Sequence, residues 1–235
     1  MTKLKITILA VIIFLGIGIF SLQHNTEGTA SIKEIRDGKL VIQKGTDTMI
    51  LSPDMYASVI RSEAKSKDRN DYPAEEDVDG RIFLDAQISS QADTLIIVIG
   101  EGWLSGSGGS GGVVLMAKSD GSNAHVTGWV SSYLDKSLRI SPKNDYAVYT
   151  EASLSGLCVS REYGLIDLRA RTMGDISVPN DTINLNKKIK LGDEKLNPAV
   201  WSDDDTLQLD VPLRYCAKTL DDDISVGTVR HAIMR

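Results

Sequence analysis

Residues Gly108-Gly109-Ser110-Gly111-Gly112 fit the G-x-S-x-G pattern. In that pattern a serine on a strained turn between a strand and a helix presents its hydroxyl to a histidine. His125 and His231 follow in the chain, with several aspartates between them, so a Ser–Asp–His order is available. The apolar run 95–99 supplies a preceding strand, but VVLMAKSDG after the loop is β-branched, short and ends in a turn, so no helix follows. Ser110 with His125 therefore stands as the catalytic alternative. The same glycines lack the Lys-Ser/Thr and the helix N-terminus of a phosphate-binding loop. Glu101 beside Trp103 is one carboxylate where glycoside hydrolysis needs two. Asp203–Asp205 and Asp221–Asp223 lack the D-x-D-x-D-G spacing of a calcium loop. No metal site and no cofactor are expected. Trp103, Ser107, Ser110 and Trp129 are the candidate binding residues.

The elements that must position these groups read as β-structure. Apolar runs 95–99 and 113–117 flank a loop in which seven glycines lie between positions 100 and 112. Ordering so many glycines is entropically costly, which suits a hairpin tip or the close approach of a partner. Upstream, Asp37-Gly38 is a type I′ turn signal. It splits 32–36 from 39–43, and Gly45 leads into 48–51, giving a three-stranded meander. Ser52-Pro53-Asp54 places a cap, a proline and an acid at a helix start, with Met55, Val59 and Ile60 on one face of a helix over 53–65. Residues 66–80 are charged and without apolar period, an exposed loop.

From residue 81 onward, strands are expected at 82–88, 95–99, 113–117, 125–130, 138–140, 146–150, 157–160, 165–169, 183–185, 199–201, 206–211 and 225–231. Turn chemistry separates them, including Gln91-Ala92-Asp93, Ser119-Asp120-Gly121, Pro142 to Asp145, Met173-Gly174-Asp175 and Ser202 to Asp205. The fold class is mainly β: an antiparallel sandwich or propeller-like β-array with one short helix near 53–65.

Lys3 and Lys5 precede a charge-free run at 6–20, a membrane-spanning or signal helix. The expected division is 1–22 signal anchor or signal peptide, 23–31 linker, and 32–235 an extracytoplasmic β-rich domain, since the positive end stays inside. The short, Lys-flanked design suits the bacterial cell envelope: inner-membrane anchored through 6–22, or secreted or periplasmic if cleaved. Cys158 and Cys216 both fall in the exported part, where an even pair suggests a disulfide, two buried thiols being the other reading. Net charge is −6 without a basic cluster, which excludes nucleic acid as a partner.

One pattern recurs. Ile140-Ser141-Pro142-Lys143-Asn144-Asp145-Tyr146-Ala147-Val148-Tyr149 and Trp201-Ser202-Asp203-Asp204-Asp205-Thr206-Leu207-Gln208-Leu209 each place a polar turn before an apolar strand, and Gly164-Leu165-Ile166-Asp167-Leu168 precedes Arg171-Thr172-Met173-Gly174. Over 140–210 the chain resembles blades of TolB-type β-propellers. The second copy lacks the proline and both lack the turn glycine. The resemblance implies protein interaction at the envelope and no specific reaction. The sequence is therefore read as a non-catalytic envelope domain that binds another protein or an envelope polymer. The alternative is a periplasmic or secreted hydrolase using Ser110.

Overall fold

The computed structural model describes residues 29–67, 81–89, 91–100, 110–155, 158–178, 183–190, 199–203, 205–212, 215–216 and 223–233. The anchor or signal helix expected at 6–22, the linker to residue 28 and most of the charged loop lie outside these residues. Among the described residues no helix is long and apolar enough to cross a membrane.

The chain is mainly β and its sheets are antiparallel. Strands β1 (Ser31–Arg36), β2 (Lys39–Lys44) and β3 (Asp47–Leu51) form the expected meander. Asp37 and Gly38 both take positive φ, 50° and 70°, as a two-residue type I′ turn requires. Ser52, in extended conformation, precedes a 3-10 turn, Pro53–Tyr56, that runs into helix α1 (Ala57–Ser66). Ala57, Ile60 and Ala64 bury one face of α1.

The central sheet holds β4 (Ile82–Ser89), β5 (Thr94–Gly100), β6 (Ser110–Lys118), β7 (His125–Tyr133), β8 (Arg139–Ile140), β9 (Tyr146–Ser155), β10 (Cys158–Asp167) and β11 (Thr172–Ile176). The third sheet holds β12 (Leu185–Lys190), β13 (Val200–Trp201), β14 (Thr206–Pro212) and β16 (Asp223–Ala232). Between the last two, the short β15 (Tyr215–Cys216) crosses over to pair with β10.

Within the central sheet two meanders follow one another, β4-β5-β6-β7 and β8-β9-β10-β11. Only one residue pair, Tyr133 with Glu151, joins β7 to β9. Alternation along β5 and β6 sends side chains to two separate cores. Leu95, Ile97, Ile99, Val113 and Leu115 pack with Leu40, Ile42, Leu51, Tyr56 and Ile60 of the N-terminal sheet and helix. Ile96, Val98, Val114 and Met116 pack with Ala147, Tyr149 and Ile166 of the next meander. On the far side of that meander, Val148 and Tyr163 pack with Ala199, Leu207 and Leu209 of the third sheet.

Three hydrogen bonds mark the same construction three times. The amides of Ser119, Leu168 and Ile233 donate to the carbonyls of Asp93, Asp145 and Asp205 at 3.2, 2.9 and 2.7 Å. Each aspartate ends the turn that begins with Ser89, Ser141 or Ser202. The Ser141 and Ser202 amides close their turns on Tyr146 and Thr206 at 2.8 and 2.9 Å, and Ser89 pairs with Thr94. Thus β4-β5-β6, β8-β9-β10 and β13-β14-β16 are equivalent. β7 and β11 fill the fourth place of the first two meanders. In the third, β12 pairs with β16 and fills it from earlier in the chain.

Three strand expectations are corrected, the one at 183–185 being met instead by β12 at Leu185–Lys190. The segments expected at 157–160 and 165–169 are one strand, β10, whose middle is carried by Arg161, Glu162 and Tyr163 pairing with β9. Met173-Gly174-Asp175, expected as a turn, lies inside β11 opposite Ile166, Leu165 and Gly164 in that order. The turn sits earlier, at 168–171, with Arg171 at φ 57°.

Candidate functional site

Ser110 opens β6 and pairs with Tyr133 at the end of β7. His125 opens β7 and pairs with Met116. Six residues of extended β6 separate the two ends of this pair, about 20 Å at the usual strand rise. A nucleophile and its base must come within hydrogen-bond reach, so Ser110 and His125 are not brought together. Nor is Ser110 on a strand-to-helix elbow, because β6 continues from it as a strand. His125 is half-buried. Burial first, then the nearby Arg171 charge, lowers its imidazole below the ordinary histidine value. Its Nε2 is buried and makes no hydrogen bond. Trp129 is half-buried against the core under the N-terminal sheet. Trp103 and Ser107 lie outside the described residues. Trp201 acts as an anchor: its indole Nε1 donates to the Arg139 carbonyl of β8 at 3.0 Å, joining the two equivalent hairpins.

The residues that organise the Ser110 end are ones the sequence reading passed over. Opposite Ser110, β7 bulges, since the register skips from Tyr133 to Val130 while β6 advances from Ser110 to Gly112. A bulge frees ladder amides. Here one oxygen of Glu151 accepts the Ser131 amide at 2.9 Å, the Ser131 hydroxyl at 2.9 Å and the Ser132 amide at 3.1 Å. Glu151 thereby ties the first meander to the second. Glu162 is its direct partner on β10, and Gly164 pairs with Asp175 on β11. Tyr149, stacked on Tyr133 with ring centroids 6.2 Å apart, lies over Gly164. Its phenol is pushed up by burial first and then by the charges of Glu151, Asp175 and Glu162.

Behind this end lies a buried acid. Leu84 has no partner in the β4–β5 register, so Phe83 and Asp85 fall on opposite faces. Without that bulge Asp85 would share the face of Phe83. With it, Asp85 meets the Tyr133 hydroxyl at 2.7 Å and the Leu138 amide at 3.0 Å, and its other oxygen accepts the Ala86 amide at 2.8 Å. Burial raises its carboxyl above the ordinary aspartate value, against the opposing pull of these donors. Asp85 is 5% exposed and Tyr133 1%. The pair fixes β4 to the β7–β8 connection and does not present a reactive group to solvent.

Cys158 and Cys216 are directly opposed in the β10–β15 ladder. Among the described residues no group of three or more His, Cys, Asp or Glu could hold a metal ion. No family model matches the chain, and no curated protein and no solved structure matches it either.

Proposed function

We propose that the chain is a non-catalytic binding protein of the bacterial cell envelope, addressed there by its N-terminal apolar run. Residues 32–235 act as an open, propeller-like stack of meanders that holds out hairpin tips to an envelope protein or polymer. The observation that carries this reading is the threefold recurrence of the aspartate carbonyl bond, at Asp93, Asp145 and Asp205. A repeated scaffold of this kind sets its connecting tips side by side at one end, where loops carry recognition. Ser110, where β6 begins, lies at the same end as Tyr133 of β7 and the last residues of β9. The distance between Ser110 and His125 weighs against the hydrolase.

The test is photocrosslinking in intact cells, with a benzophenone amino acid placed in the full chain at Ser110 and, separately, at Asn123 on the opposite end. A discrete adduct from position 110 and none from 123 is the expected result. Absence of an adduct at 110 overturns the binding reading. Fluorophosphonate labelling that Ser110→Ala abolishes would establish the hydrolase instead. Reporter fusions at Arg235 decide the compartment: an active periplasmic reporter is expected, and an active cytoplasmic one overturns the address.

A further inference from the structure

We propose that Cys158 and Cys216 form a disulfide that clamps the third sheet onto the central one. The chain has only two cysteines, and the fold sets them directly opposite each other on antiparallel strands. Opposed residues in such a ladder have Cα atoms about 4.5 or 5.5 Å apart, according to the hydrogen-bonding class of the pair. Both values lie within the roughly 4.4–6.8 Å that a disulfide spans. Opposed residues also share a face, and a slip of one residue would send the two side chains to opposite faces.

The place of the pair gives the bond its purpose. Along one edge β10 is paired by β9 throughout, while on the other β11 covers 163–167 and β15 covers 158–159. β15 therefore takes the stretch of edge that β11 leaves. A ladder of two residue pairs is weak alone. β15 belongs to the connection between β14 and β16, so a bond there joins the second meander to the third. The two already meet where the Tyr163 hydroxyl donates to the Asp210 carbonyl. The bond closes a loop of 57 intervening residues, long enough for a cross-link to restrict the unfolded chain strongly.

Formation of the bond in the cell rests on the extracytoplasmic reading, because thiols stay reduced in the cytoplasm. One cysteine thiolate attacks the disulfide of an oxidant, such as oxidised glutathione or an envelope thiol oxidoreductase, and expels one thiolate. The second cysteine thiolate then attacks the mixed disulfide and expels the other. Two thiols lose two protons and two electrons, and the oxidant disulfide is reduced to two thiols.

The full chain, purified reduced, is exposed to oxidised glutathione and digested with trypsin without reductant. The expected product joins peptide 144–161 to peptide 215–218, two hydrogen masses lighter than their sum. Oxidation should raise Tm by about 10 °C, and Cys158→Ser or Cys216→Ser should abolish the shift. Failure to form the linked peptide while the chain is folded by circular dichroism overturns the clamp. Alkylation of the cysteines in intact cells then separates the two ideas. Blocked thiols support both. Free thiols in cells, with ready bonding of the pure chain, uphold the geometry and overturn the extracytoplasmic address.

Discussion

Asp85 shows how one carboxylate can decide a local structure. Three donors converge on its two oxygens. Asparagine offers a single acceptor oxygen, so Asp85→Asn turns an N–H toward one of those donors. Leaving a buried donor unmet costs about 1–3 kcal/mol, and urea denaturation near pH 7 should show a loss of that size. Tyr133→Phe should cost less in the Asp85→Asn background than alone, because the two side chains share one bond. His125 makes a separate pH prediction. Its native pKa lies below the unfolded value of about 6.5. The unfolded chain therefore takes up the proton more readily, and stability falls as pH drops below the unfolded value towards the native one. Replacement by phenylalanine removes that proton uptake. The gap in urea midpoint between His125→Phe and the parent should shift in favour of the variant between about pH 7 and pH 5.

At the scale of elements, two glycines ten residues apart behave differently. A Cβ on Gly164 would lie 1.9 Å from Cζ of Tyr149, whereas one on Gly174 meets nothing within 4 Å. Tyr149 of β9 is buried in the core it shares with the first meander, so its ring could shift only by displacing buried neighbours. Gly164→Ala should therefore destabilise by about 1–3 kcal/mol, the cost of overpacking. Gly174→Ala, in an exposed strand, should be neutral or mildly stabilising. Thermal melts of the two variants make the comparison. The same pair explains what the sequence could and could not tell. Turn chemistry at Asp37-Gly38 and Ser119-Asp120-Gly121, and the cap at Ser52-Pro53, act through local backbone geometry and were legible. Gly174 carries the same local signal without turning, because pairing with β10 holds it extended. The charged centre of β10 broke the apolar pattern, yet its neighbours on β9 carry the strand through. Glu151 and Asp85 had no local signature, since bulges in other strands create their roles. The turn opened by Ser89 did have one: Ile88-Ser89 through Asp93-Thr94-Leu95 repeats the spacing at Ile140 and was the third copy of the recurring pattern.

At the scale of the molecule, the three cores are unequal among the described residues. Of those residues, twelve buried side chains form each of the first two clusters, and five form the one beneath the third sheet. Burial of apolar area is the main stabilising term and is roughly proportional to that area. β5 and β6 are covered on both faces by the larger clusters, whereas β14 and β16 rest on the smallest. The third sheet should therefore open before the rest, as a sub-global unit. Native-state hydrogen exchange in increasing urea tests this. Amides of β14 and β16 should lose protection at lower urea than those of β5 and β6. Leu209→Ala, which truncates a fully buried side chain, should cost about 2–5 kcal/mol and widen that interval. A single urea dependence shared by all four strands would instead mean that the meanders unfold as one body. If the cysteine clamp is formed, reduction should advance the opening of β14 and β16 and leave the exchange of β5 and β6 below that transition unchanged. The clamp ties down the sheet whose core has the fewest buried side chains among the described residues, where a covalent bond contributes most to holding the stack together.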